Sequence, residues 1–374
     1  MLVFGVRSIC IVVLAVLSFV PLGLGVYRRR SLGWLAISPP IFYVLLVGVA
    51  TLVDKYAVHS LAHTRYFFWV LGWLVYGFGL VFPFLYFAIF LAARRRKSGT
   101  LALRAMTLGT LLFGFLTCYA TFVEPTMLAE REYEFVSELA PEEDLLVLHV
   151  SDLQTDGLCL REKKAREAIK KRMPDLVFFT GDIANDALTV SERKARIESA
   201  QLFFRSLKAR LGIYAVPGDW DGWVDDWPEL RDAFLEGSDV EWLNNRRVDL
   251  LGGRLAIYGV GGGPGLPGSP KPPDFSDTDG FRVVIAHHPD DIDDLVQEGG
   301  ADLSFAGHTH GGQVVLPFVG ALRTHTDLGF AGGIHKNHDI PIIISRGIGM
   351  RGAGAPRIRF GCKPEISWVT IRRP

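Results

Sequence analysis

Cysteine is scarce in this chain: four residues in 374, with no Cys-x-x-Cys pair among them. Neither a thiolate zinc site nor a disulfide-stapled scaffold is indicated by so few. Cys10 and Cys118 sit inside apolar runs, while Cys159 and Cys362 are isolated, and their pairing stays open. Net charge is missing as well, because 40 Lys and Arg balance 40 Asp and Glu. Two short arginine clusters, both between apolar runs, are the only basic tracts, so nucleic acid is not an expected partner. No internal repeat is visible.

What the chain has in excess is apolar sequence, 49% of all residues, and the excess is confined to the front. Nearly uncharged runs cover residues 2–26, 33–53, 66–92 and 101–123. Each reaches the ~20 residues a helix needs to cross a hydrocarbon core. Four transmembrane helices are therefore expected over residues 1–123. The first run lacks a small-x-small cleavage site and its basic cluster follows it, which reads as a span and not a signal peptide. Arg28-Arg29-Arg30 and Arg94-Arg95-Arg96-Lys97 mark the cytoplasmic loops. Everything after residue 123 is then expected outside the inner (cell) membrane.

Residues 124–144 are rich in glutamate and read as a solvated connector. From 145 to 374, short apolar runs alternate with charged helical stretches. Leu145–Val150, Leu176–Thr180, Ile213–Val216, Phe281–Ala286 and Leu303–Ala306 read as strands, which suggests an α/β domain of two sheets flanked by helices.

Polar residues of metal-ligand type recur where these strands end. Asp152 and Gln154 follow the first, Asp182 the second, and Asp219 the third. His287-His288 follow Phe281–Ala286, and His308 with His310 lie in Gly307-His308-Thr309-His310-Gly311-Gly312-Gln313. Active sites of α/β sheets gather at the carboxyl ends of strands, so these groups are expected to converge. Carboxylates mixed with imidazoles suit two divalent cations, which can clamp a phosphoryl oxygen. His288 is expected to point away, since alternate strand residues face opposite sides. Asp156 is open between a ligand and a turn cap. His325, His335 and His338 lie in a polar loop within reach of the site but read as ordinary loop residues, and His59 and His63 are assigned nothing.

At this point the pattern resembles the calcineurin-like metallophosphoesterase family, in its bacterial membrane-associated phosphodiesterase branch. The resemblance rests on His308-Thr309-His310-Gly311-Gly312-Gln313 with Leu316-Pro317-Phe318. It extends to Ser345-Arg346-Gly347-Ile348-Gly349, Arg357-Ile358-Arg359-Phe360 and Pro364-Glu365-Ile366. It implies a four-layer αββα sandwich over 145–374, hydrolysing a phosphodiester, diphosphate or phosphomonoester. It also implies two divalent metals (Mn, Mg, Ca, Fe or Zn). One would take Asp152, Gln154 and His310, the other Asp219, His287 and His308, with Asp182 bridging. The catalytic set it suggests is Asp182, Asp221 and Trp220.

The chain departs from the family where Gln154 stands for a histidine, Asp219 for an asparagine, and Trp220 for the histidine that assists the leaving oxygen. An indole cannot donate and recover a proton at neutral pH, and losing a general acid costs about 10²–10⁴ in rate. Trp220, Trp223 and Trp227 are open between an aromatic wall and ordinary packing. Membrane tethering, and not the resemblance, favours a phosphorylated envelope lipid or glycan as the substrate. The rival reading is a degenerate metal-binding or lipid-sensing module that kept the fold.

Overall fold

The computed structural model describes residues 15–27, 36–41, 43–45, 72, 74–97, 100–157, 159–185, 190–222, 227–262, 269–292, 295, 300–337, 340–351 and 356–374. The basic cluster 28–30, most of the second apolar run, His59, His63, Trp223 and His338 lie outside them. The chain divides into two compact units, residues 1–123 with 352–358, and 124–351 with 359–374.

In the first unit, helices α1 (Val20–Tyr27), α2 (Phe82–Arg95) and α3 (Leu101–Cys118) are described. Wider π-helical turns flank them, at Gly77–Val81 before α2 and Tyr119–Val123 after α3. Among the described residues two helical stretches, Leu74–Arg95 and Leu101–Thr126, are long and apolar enough to cross a bilayer, where the sequence leads one to expect four. The difference has a simple source, since the first two runs fall largely outside the described residues. Both stretches turn apolar side chains outward: Phe84, Leu108, Leu112, Phe115 and Phe122 are exposed. The Thr100 side chain caps α3 by accepting from Leu103 N–H at 3.3 Å, and Thr107 satisfies its hydroxyl on the Leu103 carbonyl at 2.7 Å. Gly79 and Gly114 let α2 and α3 close up: a Cβ on Gly114 would lie 2.7 Å from the Gly79 carbonyl oxygen.

The second unit is built on two six-stranded sheets. Its strands are β1 (Ala129–Val136), β2 (Leu145–Val150), β3 (Leu176–Thr180), β4 (Gly212–Val216), β5 (Val240–Trp242), β6 (Arg246–Leu250) and β7 (Leu255–Gly259). They continue with β8 (Phe281–Ile285), β9 (Leu303–Ala306), β10 (Val315–Leu316), β11 (Gly320–Ala321), β12 (Gly333–Asn337), β13 (Ile340–Ile344) and β14 (Glu365–Arg372). The sheet orders are β1-β14-β2-β3-β4-β5 and β12-β13-β9-β8-β7-β6, with β10-β11 a separate hairpin.

The period of two along each strand sorts the core. Leu145, Val147, Leu176, Phe178, Tyr214 and Val216 face the second sheet, where they meet Leu255, Ile257, Phe281, Val283, Leu303 and Phe305. Leu148, Val150, Val177, Phe179, Ile213 and Ala215 face the other way and pack on α4 (Leu160–Lys171) and α5 (Val190–Phe204). The outer face of the second sheet is covered by Phe275, Ile292 and Phe330. Strands buried on both faces read as continuous apolar runs, which is why they stand out in the sequence.

Residues 129–136 depart from the solvated connector expected over 124–144. They form β1, paired in parallel with β14. Its glutamates hide the alternation, but Tyr133 and Phe135 pack against the inter-sheet core. Charge on an exposed edge strand discourages pairing with another chain.

The directions of the strands place the site. β2, β3 and β4 run parallel, and so do β7, β8, β9 and β13. All their carboxyl ends therefore open on one edge of their own sheet. The two edges are tied together by His287 Nδ1, 2.7 Å from the Thr180 carbonyl oxygen.

Candidate metal centre

Three of the strand-end loops carry their polar residues in an unusual backbone conformation. Asp152, Gln154, Asp182, His308 and His310 all have positive φ, between 36° and 67°. For non-glycine residues this left-handed region is costly, and clusters of such residues mark sites where geometry is imposed for a purpose. Backbone bonds lock the loops together: Asp152 N–H donates to the Gly181 carbonyl at 3.0 Å, and Gln154 N–H to the Asp182 carbonyl at 2.9 Å. Gly307 is required by proximity, because a Cβ there would lie 1.8 Å from Ser151 Oγ and 2.6 Å from Asp152 Oδ2.

The structure gathers the strand-end groups into two sets of three, with ligand atoms in each set within 4.8 Å of one another. One set is Asp152, Asp182 and His287, and the other is Asp219, His288 and His308. They adjoin where His308 Nδ1 lies 3.2 Å from His287 Nε2 and 3.3 Å from Asp219 Oδ2. His310 Nε2 stands 3.3 Å from Asp152 Oδ1, so it joins the first set. His287 groups with Asp152 and Asp182, its Nε2 3.6 Å from Asp182 Oδ1, and the same Nε2 lies 3.2 Å from His308 Nδ1, which puts it at the junction with the Asp219 group where it was expected.

His288 also differs from expectation. Its Nε2 lies 3.0 Å from both Asp219 carboxylate oxygens, and its ring centre is 3.6 Å from that of His308. The alternation rule fails because β8 ends at Ile285, so His287 and His288 lie on a bend and can face the same cluster.

Asp221 is placed away from chemistry. Its Oδ2 accepts from Asp182 N–H and Gly218 N–H, and its Oδ1 from Ile183 N–H, each at 2.9 Å. Both oxygens are spent on backbone, which makes Asp221 a brace for the Asp182 and Asp219 loops and removes it from the catalytic set. Trp220 lies in the short helical turn Asp219–Gly222; its side chain is outside the described residues, as is that of Trp227. Asp156 turns away from the cluster, 3.6 Å from Arg196 Nη2 and 3.9 Å from Arg161 Nη2.

Several buried polar atoms at the centre lack a hydrogen-bond partner: Asp152 Oδ1, Gln154 Oε1 and His310 Nδ1. Such atoms are rare in folded proteins and call for an explanation such as an ion. Asp152 Oδ2 is occupied by Ser151 Oγ at 2.5 Å and His308 N–H at 3.0 Å, which leaves Oδ1 for a cation. Gln154 donates from Nε2 to Asp182 Oδ2 at 2.9 Å, leaving its carbonyl oxygen available. The Thr180 carbonyl accepts from His287 Nδ1–H, so that Nε2 is the nitrogen that would turn a lone pair to a cation once the imidazole is neutral. The donor set fits divalent cations.

The electrostatics of the metal-free protein agree. Burial and the Asp182 carboxylate push Asp152 up to about 7, against the pull of His287. Burial works against a charged His287, but Asp182, Asp152 and Asp219 outweigh it and raise the imidazole to about 9. Burial would raise Asp219, but His288, His287 and His308 hold it below the usual carboxylate range. Burial and neighbouring cations lower His308 and His310 well below 6.5. In this cluster of three carboxylates and four imidazoles, Asp152 and His287 hold protons where a cation would replace them.

Two residues that the sequence alone did not single out border the centre. Arg351, mostly buried, feels the charges of Asp182, Asp219 and Asp152, and its N–H donates to Gln313 Oε1 at 2.6 Å. Its Nη1 lies 3.2 Å from His325 Nδ1, whose ring centre is 6.3 Å from that of His308. Arg359 is fully buried and donates to carbonyls of Gly349, Arg346 and Gly347, tying the 346–349 loop to the segment after residue 358. Only its membership of an Arg-rich motif hinted at it. His335 stacks on Phe330 away from the cluster.

Residues 145–312 match the family model described as calcineurin-like phosphoesterase. This part of the chain is a calcineurin-like phosphoesterase domain. The chain is similar to the uncharacterised metallophosphoesterase YkoQ of Bacillus subtilis (strain 168), 26% identical over 61% of this chain and 83% of that protein. It is similar to the phosphodiesterase YaeI of Escherichia coli (strain K12), 32% identical over 37% of this chain and 49% of that protein. It is also similar to the UDP-2,3-diacylglucosamine pyrophosphatase LpxG of Chlamydia muridarum (strain MoPn / Nigg), 25% identical over 66% of this chain and 90% of that protein. The phosphoesterase domain makes the chain a hydrolase of phosphoric esters, in a family that works with divalent metal ions.

Proposed function

We propose that the chain is a membrane-anchored, two-metal phosphoesterase acting on a phosphodiester or diphosphate of an envelope lipid or glycan. The observation that carries this reading is the pair of adjoining donor sets, Asp152–Asp182–His287 and Asp219–His288–His308. Asp152, Asp182, His287 and His310, with the Gln154 carbonyl, would hold one ion; Asp219, His288 and His308 would hold the other, with Asp182 between them. Bound there, two divalent ions supply Lewis acidity towards phosphoryl oxygens and acidify a water. A set that includes a carboxylate at 219 and an amide at 154 favours a harder ion such as Mn²⁺ or Mg²⁺.

The chain's own residues do the rest. Ser151 Oγ and the His308 N–H orient Asp152, the Thr180 carbonyl fixes the tautomer of His287, and Asp221 fixes the loops that carry Asp182 and Asp219. Arg351 sets a positive charge facing the carboxylates, suited to a non-bridging phosphoryl oxygen. A cavity of about 400 Å³ lined by Gly218, Asp219, His287, His288, Asp291 and Ser269 gives the leaving group room. With tryptophan at position 220 no imidazole protonates the leaving oxygen from there, which favours a substrate whose leaving group needs little help, such as a diphosphate. The similarity to LpxG, a UDP-2,3-diacylglucosamine pyrophosphatase, supports a diphosphate as the bond that is cut. The apolar stretches Leu74–Arg95 and Leu101–Thr126 would form the anchor, and by the positive-inside rule the arginine clusters favour a phosphoesterase domain outside the cytoplasm.

The test is hydrolysis of bis-p-nitrophenyl phosphate by the full chain in detergent, with Mn²⁺, Mg²⁺, Ca²⁺, Zn²⁺ or EDTA, beside Asp182→Asn. Metal-dependent turnover lost in the variant is expected. Turnover that persists in EDTA and in the variant would refute the site, and metal binding without turnover on any ester would favour a binding module.

A further inference from the structure

The turn that carries His308 and His310 runs directly into an apolar projection. β10 and β11 pair through Val315 with Ala321 and Leu316 with Gly320, so Pro317, Phe318 and Val319 form the tip. Phe318 is as exposed as a free side chain, at 109% of its reference area, with Val319 at 69% and Leu322 at 60%. Phe318 also holds a φ of 66°, a conformation that costs a bulky residue more than it would cost glycine. A loop tip built for solubility alone would avoid both penalties.

The projection is held firmly at its base. Val315 N–H donates to the Phe360 carbonyl at 2.7 Å, and Leu322 N–H to the Val314 carbonyl at 3.0 Å. Gln313, the residue after the His310–Gly312 turn, accepts from Arg351 N–H. The tip therefore cannot move far without moving the turn that bears His310.

We propose that the β10–β11 hairpin is a lipid-docking tip that sets Pro317, Phe318, Val319 and Leu322 into the membrane surface beside the metal centre. This rests on the membrane-bound phosphoesterase reading above and adds the surface by which the domain meets its lipid. The occupant is a bilayer because the same chain carries two stretches apolar enough to cross one, and only residues 127 and 128 separate the second from β1. Arg323, exposed beside Leu322, suits the headgroup layer, where its stem stays with the apolar residues and its charge meets lipid phosphate. Exposed aromatic and aliphatic residues rimmed by a cation are the pattern of interfacial insertion.

The experiment uses the full chain in nanodiscs of phosphatidylethanolamine and phosphatidylglycerol. The photoreactive p-benzoylphenylalanine replaces Phe318 or, as control, Met173. Met173 is exposed too, but it precedes β3 and so lies at the sheet edge opposite the metal centre. On irradiation, mass spectrometry is expected to find lipid adducts at 318 at least about fivefold over those at 173, as expected for an apolar group moved out of water. Equal labelling at the two positions, or adducts at 318 to a second copy or another protein, would overturn the proposal. A second arm compares Phe318→Ser with the natural chain. Turnover of soluble bis-p-nitrophenyl phosphate is expected to stay unchanged, and turnover of a p-nitrophenyl phosphatidyl ester in vesicles of the same lipids to fall. Loss on both substrates alike, or on neither, would count against lipid docking. If the natural chain cleaves no ester, the phosphoesterase reading fails while the crosslinking arm still decides the hairpin.

Discussion

Asp221 gives the sharpest separation between bracing and chemistry. In the natural chain its two oxygens receive three buried backbone N–H groups, from Asp182, Ile183 and Gly218. Asp221→Asn keeps the shape but turns one oxygen into a donor. If the remaining carbonyl takes the Oδ2 place, the Ile183 N–H loses its acceptor; if it takes the Oδ1 place, the Asp182 and Gly218 N–H groups do. Each buried N–H left unsatisfied costs about 1–3 kcal/mol. The variant should therefore lose at least about 1–3 kcal/mol, and Asp221→Ala, which strands all three, at least about 3 kcal/mol. Differential scanning fluorimetry of the full chain in detergent, with EDTA present, reads the ordering natural > Asp221→Asn > Asp221→Ala. A chain with Asp221→Asn that melts like the natural one yet loses turnover would refute the bracing role and return Asp221 to the chemistry.

Above pH 7 the metal-free protein should become less stable as pH rises. Asp152 is raised from 3.8 to about 7, so the folded state holds a proton that the unfolded state has released, and that contribution is lost as pH climbs through 7. His287, raised from 6.5 to about 9, contributes in the same sense up to pH 9. Below pH 7 the lowered His308 and His310 act in the opposite sense, so melting in EDTA should fall between pH 7 and 9, while the stabilisation by added Mn²⁺ grows over that range; a flat or rising EDTA profile there would contradict a protonated His287. Gly307→Ala would drive a Cβ against Ser151 Oγ and Asp152 Oδ2, and displacing a positioned group by about an ångström costs about 10² in turnover. Turnover close to natural would show that the 307 loop has slack. His288→Ala should weaken metal affinity by at least about tenfold, the range seen even for groups that only orient ligands; unchanged Mn²⁺ affinity by calorimetry would put His288 outside the centre.

Much of the fold was legible because its central strands are buried on both faces, so Leu145–Val150, Leu176–Thr180 and Leu303–Ala306 appear as unbroken apolar runs. β1 was not, because glutamates on its solvent face mask the alternation of Tyr133 and Phe135. At the site, the strand-end rule located Asp152, Asp182, Asp219, His287, His308 and His310, since parallel strands bring their carboxyl ends to one edge. It could not divide them, because which imidazole meets which carboxylate depends on bends such as that at His287 and His288. Asp221 looked chemical because a carboxylate beside Asp219 carries no sign that backbone donors will claim it. Arg351 was invisible for a similar reason: its nearness to the cluster comes from the path of the 346–351 loop, which no periodicity records.

The most direct test of the account is the metal content of the full chain after equilibration with Mn²⁺ and removal of free ions, measured by inductively coupled plasma mass spectrometry beside Asp182→Ala. The account predicts two ions per natural chain and fewer in the variant, because Asp182 belongs to one donor set and is proposed to bridge to the other. A natural chain that retains none, or a variant that retains as many, would contradict a two-metal centre at these residues.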